Sequence, residues 1–82
     1  MMTERQMIQE ILNSEAMEYH FEDVDEDSKE YTLLLKRLDK DVRPVEELND
    51  EIKKYFKSAN FDYKEELHPD DVDADIRLVI KR

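Results

Sequence analysis

The sequence predicts an α+β fold, an α-β-β-α-β-β two-layer sandwich in which a four-stranded sheet carries two helices on one face. Three observations lead there. Apolar residues recur at spacings of three and four in two segments, which is the signature of a helix with one buried face. They alternate with polar residues in four others, which is the signature of a strand. Each helical segment is followed by two alternating ones, so neither helix can bury its stripe except against a sheet.

Met7, Ile8, Ile11 and Leu12 define the first helix, and Thr3 followed by Gln6 matches a capping box that starts it. Met17, Tyr19 and Phe21 alternate with Glu18 and His20, a short strand that the run from Asp23 to Ser28 is expected to break. The segment from Tyr31 to Lys36 is dense in strand formers, with Tyr31, Leu33 and Leu35 on one side and Thr32, Leu34 and Lys36 on the other. Pro44 suits the first turn of the second helix, and Val45, Leu48, Ile52, Tyr55, Phe56 and Ala59 mark its apolar face. Phe61 and Tyr63 begin a third strand near 61–65, and His68-Pro69-Asp70-Asp71 reads as a turn. Ile76, Leu78 and Ile80 supply the core side of the fourth strand, opposite Arg77, Val79 and Lys81. The two richest strands, 31–36 and 76–80, belong in the middle of the sheet. The charged segments 17–21 and 61–65 belong at its edges, where charge resists unwanted pairing.

The element order is one helix-strand-strand unit repeated, and an internal αββ duplication with pseudo-repeats 1–37 and 45–82 is one reading of it. A shift of 44 positions superposes Ile8 on Ile52, Leu12 on Phe56, Met17 on Phe61 and Tyr19 on Tyr63; one further residue of slip superposes Leu33 on Leu78 and Leu35 on Ile80. The same order is similar to a circularly permuted ferredoxin-like arrangement, with the first strand moved to the end. A likeness of topology carries no functional warrant.

At 82 residues the chain makes a single acidic α+β domain, 1–82, with a small core. It has no Cys, so disulfides, thiolate metal sites and thiol nucleophiles are excluded. The N-terminal run leads into no long apolar segment, and no stretch approaches the roughly 18 apolar residues of a spanning helix. No signal peptide and no membrane contact are expected, and the cytoplasm is the expected location.

Formal net charge is -10, from 23 Asp plus Glu against 13 Lys plus Arg. The acid is concentrated in residues 22–30 and 62–75, each with a single opposing Lys. Both windows include a strand-strand connection, and together they are expected to form one negative rim. Arg37, Arg77, Lys81 and Arg82 mark a milder basic region. No basic patch tracks a phosphate backbone, so no direct nucleic-acid binding is expected. A basic protein surface is the expected partner.

The candidate protein-binding residues are Asp23, Asp25, Glu26 and Asp27 in the first window and Asp70, Asp71, Asp73 and Asp75 in the second. The function expected is a non-catalytic protein-binding or regulatory module contacting a basic surface through them. Two alternatives stand beside it. The open sheet face, with Leu34 and Val79 side by side, could be a homodimer interface in a structural or accessory oligomer. The acids could mimic nucleic-acid phosphates and block a DNA- or RNA-binding protein, a device that would suit a phage protein.

No cofactor and no metal are expected. Asp23, Asp25 and Asp27, and again Asp71, Asp73 and Asp75, have the spacing that opens an EF-hand loop. The sixth position, however, holds Ser28 or Ile76 instead of Gly, and the twelfth Leu34 or Arg82 instead of Glu. His20 and His68 are too far apart in sequence to suggest a shared site. The absence of Gly excludes glycine-rich phosphate loops, and no nucleophile–His–acid set is evident, so no enzymatic activity is expected.

Overall fold

The computed structural model describes residues 3–82. Its elements follow in the order α1 (Glu4–Ser14), β1 (Met17–Asp25), β2 (Glu30–Arg37), α2 (Val45–Ser58), β3 (Asp62–Leu67) and β4 (Ile76–Lys81). The four strands form one sheet in the order β1-β2-β4-β3, and every neighbouring pair is antiparallel. That is the strand order of the permuted arrangement expected from sequence, with β2 and β4 inside.

Alternation decides what the sheet buries. Tyr31, Leu33 and Leu35 of β2 and Ile76, Leu78 and Ile80 of β4 are all buried. They meet Ile8 and Leu12 of α1 and Val45, Leu48, Ile52 and Phe56 of α2 in one core. α1 starts as its capping box requires: Gln6 N donates to Thr3 Oγ1 at 3.2 Å, and Thr3 N donates to Gln6 Oε1 at 3.0 Å. Pro44 is the N-cap of α2 and lies just outside the first turn, with extended ψ of 140°.

The two halves use one register. Tyr19 pairs with Leu35 and Phe21 with Leu33, as Tyr63 pairs with Ile80 and Glu65 with Leu78. Leu33 and Leu78, equivalent under the repeat, face each other across the β2–β4 seam. A pseudo-two-fold axis therefore runs beside that pair. The helix-to-strand turns also match, since Ala16 (φ 56°) and Asn60 (φ 68°) are both left-handed and lie 44 positions apart. With no glycine in the chain, these turns and those at Lys29 (φ 58°) and His68 (φ 53°) fall to residues that carry a Cβ.

Three local expectations are corrected. The acidic run does not end β1 at Phe21. A bulge between Phe21 and Asp23 absorbs one residue, and Asp23, Val24 and Asp25 continue the strand opposite Thr32, Tyr31 and Glu30. Tyr55 is half exposed instead of lying in the core. The α2 stripe is completed by Asn49, which is 5% exposed, and its Oδ1 accepts a 2.8 Å hydrogen bond from the Tyr63 hydroxyl. Leu34 and Val79 are not side by side: Leu34 stands opposite Arg77 and Val79 opposite Thr32, so the two aliphatics are diagonal neighbours.

Candidate protein-binding surface

The register fixes where the acids lie. Glu30, at the end of the first hairpin turn, pairs with Lys81 at the end of β4. Leu35, at the other end of β2, pairs with Ile76, where the second loop delivers the chain. Backbone bonds tie each connection to its place: Arg82 N donates to Lys29 O at 3.2 Å, and Asp75 N donates to Leu35 O at 2.9 Å. The loop acids of the two windows, 23–27 and 70–75, therefore occupy opposite ends of the sheet, with roughly 17 Å of strand between Glu30 and Leu35, while Asp62, paired with Lys81, lies at the Glu30 end. The single negative rim expected from sequence does not form. Arg37 and Arg82 are likewise at opposite ends, so the basic region expected from them is not continuous either.

The two windows also differ in chemistry. In the second, acids meet cations. Asp71 Oδ2 accepts from Arg77 Nη2 at 2.8 Å, Asp73 Oδ2 from Lys36 Nζ at 2.9 Å, and Asp75 Oδ2 from the Arg37 backbone N–H at 2.8 Å. The hydrogen bond from Arg77 holds the Asp71 carboxyl below its ordinary range, and the bond Lys36 donates to Asp73 raises Lys36. Arg77, centred on the open face, also reaches Glu66 at 3.0 Å and Glu22 at 3.3 Å. Asp71, Asp73 and Asp75 each face a different cation, so this triplet is a set of separate ion pairs closing the β3–β4 loop onto the sheet.

In the first window, among the described residues, only Glu22, beside the bulge, meets a cation, and that cation is Arg77. Among the described residues Asp23, Asp25, Glu26 and Asp27 form no ion pair. They surround a shallow exposed hollow of about 470 Å³ together with Val24. Asp25 shapes the turn by accepting from Ser28 N at 3.2 Å, and that backbone bond holds its carboxyl below the ordinary range. The hairpin end thus presents exposed carboxylates with free lone pairs, an arrangement suited to Lys and Arg side chains.

A third polar cluster escaped the sequence reading. Arg43, between β2 and α2, binds Asp41 at 2.6 Å, donates to the carbonyl of Glu15 at 2.9 Å, and lies 3.8 Å from the Glu15 carboxylate. Arg37 Nη1 donates to the Arg43 carbonyl at 2.7 Å. Hydrogen bonds from Arg43 lower the Asp41 pKa to about 2, whereas burial, reinforced by Glu51, raises that of Glu15. The cluster ties the end of α1 to the loop entering α2. Its only sequence signal is the Asp-x-Arg spacing of 41 and 43, which is too common to single out.

His20 lies on the open face and lines a hollow of about 460 Å³ with Glu18, Leu34, Lys36, Asp73 and Ala74. His68 Nε2 is 3.3 Å from Glu46 Oε1, at an exposed position over the start of α2. No described helix is long and apolar enough to cross a membrane. Compared with protein-family models, curated proteins and solved structures, the chain matches none.

Proposed function

We propose that the chain is a non-catalytic protein-binding module that engages a basic protein surface through the β1–β2 hairpin end. The observation that supports this is the contrast between the two acidic windows. Asp71, Asp73 and Asp75 are committed to Arg77, Lys36 and Arg37, whereas Asp23, Asp25, Glu26 and Asp27 are exposed and without an ion-pair partner among the described residues. The contact surface is therefore narrower than the eight carboxylates read from sequence. Asp71, Asp73 and Asp75 serve to close a loop in this reading, and Asp70 is the one candidate of the second window without an ion-pair partner among the described residues. Complementary charge gives such a module fast, selective encounter more than raw affinity. Nucleic-acid mimicry is the special case in which the partner's basic surface normally holds phosphate.

The test is affinity capture at low salt with three chains. They are the wild type, a hairpin variant (Asp23→Asn, Asp25→Asn, Glu26→Gln, Asp27→Asn) and a loop variant (Asp70→Asn, Asp71→Asn, Asp73→Asn, Asp75→Asn). A basic partner held by the wild type and the loop variant, released by about 0.5 M salt and lost by the hairpin variant supports the reading. Equal capture by all three overturns it.

The open-face homo-oligomer has weaker support. Leu34 and Val79 are half-buried and diagonal, and directly opposite Leu34 stands Arg77 with its three carboxylates, a charged centre that a homodimer would have to desolvate.

A further inference from the structure

The sheet has two edges, β1 and β3, and the pseudo-symmetry allows them to be compared position by position. Both present an unpaired row of backbone N–H and C=O groups, and such a row is a template for another strand. β3 is guarded. On its helix side Tyr63 is buried, with its hydroxyl bonded to Asn49 and Lys53 Nζ 5.9 Å from its ring centroid, and Glu65 holds an inward charge 3.5 Å from Lys53. β1 is guarded more lightly, by Arg5 of α1, whose guanidinium lies 4.8 Å from the Phe21 ring centroid. Where β3 has the inward carboxylate Glu65, β1 has Phe21, and the helix side of its first five residues reads Met17, Tyr19, Phe21. Tyr19 and Phe21 are only half-buried and stack edge to face at 6.2 Å. Among the described residues no backbone hydrogen bond reaches the outer edge of β1.

The other side of the same strand is acidic. Glu18 faces outward beside the 460 Å³ hollow floored by Leu34 and Ala74, and makes no ion pair among the described residues. Beyond the bulge, Asp23 and Asp25 continue that face toward the hairpin end. The bulge turns the edge away after Phe21, so the pairable stretch is Met17–Phe21.

We propose that β1 binds its partner by strand addition. An extended basic segment pairs along Met17–Phe21, places alternate apolar residues over Tyr19 and Phe21, and places alternate Lys or Arg residues on the open face. One basic side chain lays its aliphatic stem on Leu34 and Ala74 and its head at Glu18. The segment then runs on toward Asp23 and the hairpin acids. This rests on the reading of the chain as a module for basic partners and names the mode of recognition; charge complementarity to Glu18, Asp23 and Asp25 selects the occupant, since a second copy of β1 has no Lys or Arg to offer them.

The probe is a short synthetic peptide alternating lysine and valine, titrated into isotope-labelled full-length chain and followed by backbone amide shifts. Shifts at Met17–Phe21 are expected. Two further peptides carry N-methyl groups on one or the other alternate set of residues, which removes hydrogen-bond donors along one edge and keeps the charge. One of the two is expected to bind at least about tenfold more weakly, the loss of one or two net hydrogen bonds. Phe21→Glu, which copies the guard of β3, is expected to weaken the unmodified peptide comparably. Shifts confined to residues 25–28, with both methylated peptides binding as well as the parent, overturn strand addition while leaving the acidic hairpin as the contact. No shift anywhere, with no capture of a basic partner, removes both.

Discussion

The hydrogen bond between Tyr63 and Asn49 offers a calculable test of how α2 is seated on β3. Both residues are buried, at 8% and 5% exposure, and the hydroxyl lies 2.8 Å from the amide oxygen. Burial and the nearby Glu65 and Asp50 raise the Tyr63 pKa, so the hydroxyl stays protonated and donates. Tyr63→Phe removes the donor and leaves Asn49 Oδ1 buried without it. A stranded buried acceptor costs about 1–3 kcal/mol. In a domain of this size each kcal/mol lowers Tm by roughly 4–8 °C. Asn49→Leu strands the hydroxyl at a similar cost. The double variant Tyr63→Phe with Asn49→Leu removes both polar groups and keeps the volume, so it is expected to lie within about 1 kcal/mol of wild type, less destabilised than either single change. Urea unfolding followed by circular dichroism measures all four chains on one scale. Additive losses, or a Tyr63→Phe cost below about 0.3 kcal/mol, would refute the pairing and with it the account of why Asn49 completes the α2 stripe.

Other consequences follow from the same structure. Leu33→Ala, at the seam beside the pseudo-two-fold axis, is expected to cost about 2–5 kcal/mol, and Leu34→Ala on the open face under about half as much, measured by urea unfolding; equal costs would contradict the assignment of faces. The Asp41 pKa is lowered from 3.8 to about 2 in the folded chain, so its contribution to stability is present above pH 3.8 and is lost as pH falls toward about 2. Asp41→Asn should flatten that acid limb in pH-dependent unfolding, and an unchanged limb would contradict the Arg43 cluster. Glu15 is shifted the other way: its raised pKa means that ionisation opposes folding, so Glu15→Gln should leave stability at pH 7 unchanged or higher, and a clear loss would count against it. Stability should rise from low salt to about 0.5 M as repulsion among the acids is screened, and a falling curve would show that ion pairs dominate instead.

Much of the fold was legible because it rests on periodicity. The alternation of Tyr31, Leu33 and Leu35 and of Ile76, Leu78 and Ile80 fixed the inner strands, and the Thr3–Gln6 box fixed the start of α1. What escaped depended on register and long-range partners. Val24 after an acidic bulge does not look like strand until Tyr31 is set opposite it. Asn49 looks like surface until Tyr63 arrives from β3. The two acidic windows look alike as composition, and only the antiparallel pairing of β2 with β4 sends their loops to opposite ends. Which acids are spent on ion pairs was hidden for the same reason. Arg77 is one charged residue of an alternating strand until the loop folds back and sets Asp71 beside it, with Glu66 on the neighbouring β3 and Glu22 reaching it across β2 from β1.

The most direct measurement is the salt dependence of partner affinity in the wild type and the two charge-neutralised chains. If the hairpin end makes the contact, the affinity of the wild type and the loop variant falls steeply and in parallel as salt rises, while the hairpin variant binds weakly with a shallow slope. A steep slope retained by the hairpin variant and lost by the loop variant would place the contact at the opposite end of the sheet and contradict the account.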